Sequence, residues 1–142
     1  MKKQSINVTV DAVVFKQRNA DTFVLLISRK NAPFQNQWAL PGGFVENDED
    51  LETAVKRELK EETGIEYASC DQFYTFGKPG RDPRGRTISI AYVGFVTESS
   101  KPKAADDAIE AKWFNLRHLP ELAFDHKEII NLAIFRFLQD RF

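Results

Sequence analysis

The chain has 142 residues, 42% of them hydrophobic and 29% charged, which is enough apolar material for one core, so residues 1–142 are expected to form a single domain. A formal net charge of −1 excludes the broad positive field that would hold a long nucleic acid. No run approaches the roughly 18 apolar residues of a membrane span.

The opening stretch MKKQSINVTVDAVVF alternates polar with apolar residues, where a secretory signal would carry an apolar block and a small-residue cleavage site. The one cysteine, Cys70, cannot pair within the chain. The expectation is a cytoplasmic, non-membrane protein with Cys70 as a small buried hydrophobe. Ser5 to Phe15 place Ile6, Val8, Val10, Ala12 and Val14 on one side, and Phe23 to Ile27 form a β-rich apolar run, so two strands joined by the polar turn KQRNAD are predicted. In WALPGGF the Pro-Gly-Gly sequence predicts a tight loop at Pro41 to Gly43, with a backbone that glycine alone adopts cheaply. Glu49, Asp50 and Glu52 complement a helix dipole, Asp48 is a candidate cap and Gly64 a terminator, which predicts a helix over about 49–63.

Asp71 to Phe76 and Thr87 to Thr97 read as paired strands. They flank Lys78 to Arg86, a loop of four basic residues (Lys78, Arg81, Arg84, Arg86), two prolines, two glycines and one aspartate, suited to a small anion. The polar connection SSKPKAADD leads to a short segment around Trp113 and Phe114. A final helix is expected to open with Asp125 as its cap and His126 as a first-turn surface residue, with Ile129, Ile130, Ala133, Ile134, Phe137 and Leu138 at helical spacing. Nothing in the chain repeats or is of low complexity.

On a helical wheel with Glu58 at zero, Leu51, Ala54 and Val55 fall at roughly +20°, −40° and +60°, Glu62 at about +40° and Glu61 at about −60°. The carboxylates continue the apolar face, while Lys56 and Lys60 lie opposite. Converging carboxylates on a half-buried face repel one another unless a cation sits among them, and a hard divalent ion such as Mg2+ takes oxygen ligands. A solvated acidic face paired with Lys56, Arg57 and Lys60 is the alternative.

Gly43 to Ile65, GFVENDEDLETAVKRELKEETGI, resembles the box of the Nudix hydrolases at every fixed position: Gly43, Glu49, Arg57, Glu58, Leu59, Glu61, Glu62, Gly64 and Ile65. The resemblance implies an α/β fold, a Nudix-type α/β/α sandwich with a mixed β-sheet. It also implies Mg2+-dependent cleavage of a diphosphate bond in a nucleotide substrate, with Mn2+ as an alternative ion. Glu58, Glu61 and Glu62 would hold the metal with the carbonyl of Gly42, Arg57 would orient the carboxylates, and Glu49 would tie the loop to the helix. A general base would come from outside the box, the candidates being Glu98, Asp106, Asp107 and Glu110, with Glu110 or Asp107 preferred.

The segment FGKPGRDPRGRTISIAYVGFV and the later LAFDHKEII look like the ADP-ribose pyrophosphatases and the ADP-ribose-sensing Nudix-related transcriptional regulators. That likeness implies ADP-ribose hydrolysis to AMP and ribose 5-phosphate, with Arg81, Arg84 and Arg86 contacting the substrate; a surface hairpin needs no such role. Phe34, Tyr74 and Phe76 are either adenine-stacking or core aromatics. The regulators carry a DNA-binding domain after this one, and none is expected before Phe142. A homodimer is expected from the resemblance alone. Two other readings stay open: hydrolysis of a nucleoside triphosphate or dinucleoside polyphosphate, and a non-catalytic ADP-ribose-binding module.

Overall fold

A computed structural model describes residues 3–66, 70–97 and 108–139. Strand β1 (Asn7–Arg18) is the spine of a mixed sheet. Along one edge it runs parallel to β6 (Thr87–Val96), in register from Asn7 opposite Thr87 to Lys16 opposite Val96. Its other edge is shared: β2 (Asp21–Arg29) pairs antiparallel with Phe15 to Arg18, and β4 (Gly42–Phe44) pairs antiparallel with Thr9 to Asp11. Beyond Phe15 opposite Val24, β2 therefore leaves β1 and β4 takes its place. A cleft opens where these strands part.

Strand β3 (Trp38–Ala39) and strand β7 (Ala108–Asn115) flank β2, and β5 (Asp71–Phe76) closes the far edge against β6. Period-two alternation sends successive side chains of β1 to opposite faces. Val10, Ala12 and Val14 join Leu25, Ile90 and Tyr92 under helix α1 (Leu51–Thr63), which contributes Ala54, Val55 and Leu59. Val13 and Phe15 join Val24, Leu26 and Val93 under helix α2 (His126–Phe137), which contributes Ile129, Ile130 and Ala133. Both faces of the central strands are buried, which is why Ala12 to Phe15 of β1 are continuously apolar. Full burial of each valine, leucine, isoleucine or phenylalanine here stabilises the fold by about 1.5–3 kcal/mol. The result is the expected α/β/α sandwich with a mixed sheet.

Several local expectations are corrected. Strand β1 continues to Arg18, leaving only Asn19 and Ala20 between it and β2, with Asn19 in the left-handed region at φ 57°. Helix α1 begins at Leu51, capped by Asp50, whose carboxylate accepts the Leu51 N–H at 2.8 Å. Asp48 lies too far upstream to cap it. The segment around Trp113 is a full strand. Gly42 and Gly43 lie in β4 and have no positive φ, so the glycines serve close approach instead of an unusual turn.

Candidate active site

Two carboxylates of α1, Glu58 and Glu61, and Glu49 just before it are gathered by one guanidinium. Arg57 Nε donates to Glu49 Oε2 at 2.5 Å and Nη2 to Glu49 Oε1 at 2.8 Å. Nη2 also donates to the Phe44 carbonyl at 3.2 Å, and Nη1 to Glu58 Oε1 at 2.8 Å and Glu61 Oε2 at 3.1 Å. The bond to Glu49 is the main cause that raises the Arg57 pKa, against the effect of burial. The same bond holds the Glu49 carboxyl below its ordinary range. Glu49 also accepts the Glu46 N–H at 3.1 Å, so the loop before α1 is fastened to the helix.

Burial on α1 centres nearer Leu59 than Glu58. Glu62 is 6% exposed, whereas the side chains of Glu58 and Glu61 are 12% and 40% exposed. Lys56 and Lys60 are solvent-facing, paired with Glu52 and Glu66. Glu62 Oε1 accepts the Gly42 N–H at 2.7 Å. A Cβ on Gly43 would stand 2.7 Å from the Glu58 carboxyl, and one on Gly42 would overlap the Val10 carbonyl. The glycines thus let β4 lie directly against the acids.

Glu58, Glu61, Glu62, Gly42 and Gly43 line one wall of a cleft of about 560 Å³, and Arg29, Lys30 and Arg84 line it too. An acidic pole and a basic pole share one opening. Among the described residues, no three acidic, histidine or cysteine side chains by themselves converge on one ion position. The donor set is nevertheless all oxygen, and the space beside Glu58 is kept clear by Gly43. That suits a hard divalent cation, which binds through one or two carboxylates and completes its shell with water and phosphate oxygens.

The three loop arginines separate in role. Arg81 is buried and bidentate on Asp125, Nε to Oδ2 at 2.8 Å and Nη2 to Oδ1 at 2.6 Å. Burial opposes its charge, and Asp125 overcomes this and raises its pKa. Arg81 is therefore the loop's anchor, its side chain only 4% exposed against 32% for Arg84. Arg84 reaches the cleft: Nη2 donates to Asp82 Oδ2 at 2.7 Å, and the guanidinium carbon lies 4.6 Å from the Phe44 ring centre and 5.1 Å from that of Phe124. Burial acts against the Asp82 charge, but the bonds from Arg84 hold its pKa below the ordinary value. Arg86 donates to the Gly77 carbonyl at 2.6 Å and is exposed, spanning the base of the loop.

Glu110 lies opposite Ser28 in β7. Alternation puts it on the face of Lys112 and Phe114, the α2 side, whereas Ile27 and Arg29 point into the cleft. The structure does not bring Glu110 to the acids of α1. Glu98, Asp106 and Asp107 lie outside the described residues. His126, expected at the surface, is buried and accepts the Leu40 N–H at Nδ1, 3.0 Å away. Asp125 makes no side-chain bond to the helix it was expected to cap, because Arg81 occupies it. Cys70 is buried, as expected. Tyr74 is exposed and pairs with Phe76 edge-to-face on β5, and neither ring lines the cleft; Phe34 packs on Phe124 at 4.7 Å.

The NUDIX domain model matches residues 6–133. The chain belongs to the NUDIX family. It is 49% identical over 123 residues to the ADP-ribose pyrophosphatase of Methanocaldococcus jannaschii, covering 87% of this chain and 70% of that protein. A MutT/nudix family protein from Enterococcus faecalis superposes with a TM-score of 0.91 at 38% identity; the match covers 97% of this chain and 64% of that one, just under two thirds. The NUDIX domain of Shewanella oneidensis NrtR, complexed with ADP ribose, superposes with a TM-score of 0.87 at 34% identity over 94% of this chain and 90% of that one. No described helix of this NUDIX chain is long and apolar enough to cross a membrane.

Three residues of the site escaped the sequence reading. Arg29 and Lys30 end the run FVLLISRK, and charges at a strand end next to a loop were their only signal. Asp82 looked like one more loop residue. It is 4% exposed and holds Arg84 in place.

Proposed function

We propose that this NUDIX domain hydrolyses the diphosphate bond of ADP-ribose, with Mg2+, to AMP and ribose 5-phosphate. The single observation that carries the reading is the cleft with Glu58, Glu61 and Glu62 on one wall and Arg29, Lys30 and Arg84 also lining it. A diphosphate needs both a cation site and cationic side chains, and the relatives named for ADP-ribose support the choice of substrate.

Glu58, Glu61, Glu62 and the Gly42 carbonyl are the groups that would hold Mg2+, or Mn2+ in its place. Ala12 donates to the Pro41 carbonyl and Val45 to that of Val8, so alternation along this ladder turns Gly42 away from β1. The bound ion would neutralise phosphate charge and acidify a water. Arg57 spaces the glutamates, and Arg29 and Arg84 bind the non-bridging oxygens and fix the diphosphate for in-line attack. Water adds to one phosphorus, the bridging P–O bond breaks, and each product keeps one phosphate.

We infer further that residues 1–142 act as one domain, since every described strand joins one sheet. Cys70, the chain's single cysteine, is buried and has no second cysteine to pair with, which supports a reducing cytoplasmic setting. A small nucleotide is the partner we assign, with neither long nucleic acid nor membrane, and with a homodimer to be sought by light scattering.

The test is incubation with ADP-ribose and, separately, nucleoside triphosphates and dinucleoside polyphosphates in Mg2+, with products resolved by chromatography. AMP and ribose 5-phosphate formed fastest from ADP-ribose, with Glu62→Gln inactive, is the expected result. A faster reaction with another nucleotide would move the substrate, and tight ADP-ribose binding without turnover would make the domain a sensor.

A further inference from the structure

Phe124 and Asp125 lead into helix α2, which opens with His126. Phe124 holds φ at 54°, a strained value for a bulky side chain. Its ring lies 4.9 Å from the Arg29 guanidinium carbon and 5.1 Å from that of Arg84. Asp125 forgoes a cap bond to α2 and accepts both donors of the Arg81 fork. His126 accepts the Leu40 N–H at Nδ1, with Nε2 at 3.5 Å from Asp11 Oδ1. The loop that carries them is itself fixed, since Ala123 donates to the Trp38 carbonyl at 2.8 Å.

Each grip lies just upstream of a working group. Leu40 is two residues before Gly42, whose N–H is held by Glu62, and Arg81 is three residues before Arg84. We propose that Asp125 and His126 are positioning residues, which together set the separation between the arginine loop and the glycine strand and so align a bound diphosphate with the glutamates. This rests on the function proposed above. Adjacent Cα atoms are about 3.8 Å apart, so both grips are carried on one short stretch of backbone. Asp125 grips the loop 44 positions earlier in the chain and His126 the strand 86 positions earlier. Buried, directional bonds of this kind fix geometry to the tolerance that in-line transfer requires.

The test measures deuterium exchange by mass spectrometry over residues 38–46 and 78–86, with initial rates for ADP-ribose on the same preparations. Asp125→Asn is expected to speed exchange in 78–86 on the order of tenfold and to raise KM more than it lowers kcat. Arg81→Gln breaks the same bond from the other side and should reproduce this if Asp125→Asn folds poorly. His126→Phe should speed exchange in 38–46 and lower kcat more than it raises KM. His126→Gln, whose amide oxygen can accept the Leu40 N–H, should restore most of both. Equal acceleration in both segments, acceleration in neither, or no rescue by glutamine would overturn the proposal. If the wild-type protein turns over a different substrate or none, the proposed function fails, while the exchange pattern still decides the positioning role.

Discussion

Glu62 Oε1 accepts the Gly42 N–H at 2.7 Å, joining the most buried carboxylate of α1 to the strand that lies against it. Glu62→Gln keeps an oxygen for that N–H and removes the charge. We expect it to lower kcat by at least about a hundredfold with little change in Tm. Glu62→Ala leaves a half-buried donor without its partner and should also cost about 1–3 kcal/mol in chemical denaturation.

Close approach, not conformation, selects glycine at 42 and 43. Gly43→Ala pushes a methyl against the Glu58 carboxyl, the movable end of a side chain. Activity should fall well before stability does, with a cost of about 1 kcal/mol. Gly42→Ala meets backbone at Val10 and should cost more, about 2–3 kcal/mol. Denaturant midpoints measured beside initial rates distinguish the two.

Arg84 is bidentate on Asp82 and lies beside two aromatic rings. A lysine cannot reproduce a planar fork stacked on rings. Arg84→Lys is therefore expected to raise KM for ADP-ribose nearly as much as Arg84→Ala, each on the order of tenfold. Recovery of wild-type KM with lysine would count against this geometry.

Burial lowers the His126 pKa from its ordinary 6.5, with Asp11 and Asp125 acting the other way and Arg81 and Arg29 reinforcing it. The neutral ring is also what its bond to Leu40 requires, since a protonated Nδ1 cannot accept. The unfolded chain then binds more protons than the folded one, so the contribution is complete above pH 6.5 and is lost as pH falls through the lowered folded pKa. Thermal unfolding from pH 8 to pH 5 should show a Tm decline below about 6.5 that His126→Gln lacks. Glu49, held low by Arg57, gives a second loss in more acid solution: its contribution is present above 4.5 and disappears as pH falls through its lowered pKa.

Glu110 faces away from the cleft on β7. Glu110→Gln is expected to retain kcat within about twofold, as surface substitutions remote from a site do. A hundredfold loss would show that the acid reaches the substrate after all.

The glutamate cluster was legible in the sequence because 58, 61 and 62 are spaced by the helix itself, and local periodicity fixes which side chains share a face. The strands of β1, β2 and β6 were legible for the same reason; that Glu49 ties the loop to the helix came from the resemblance of the box, and its partner Arg57 from the structure. What separated Arg84 from Arg81, in a loop where all the arginines look alike, was a partner 44 positions away, Asp125. His126 looked like a surface residue of a helix start because its acceptor role depends on Leu40, 86 residues earlier. Glu110 was offered as a base from the resemblance alone, and which face of β7 it takes relative to the cleft is set only in the closed sheet. Sequence periodicity determined which carboxylates of α1 share a face; burial and long-range pairing, which exist only once the sheet has closed around β1, decided which charges are buried anchors and which face the cleft.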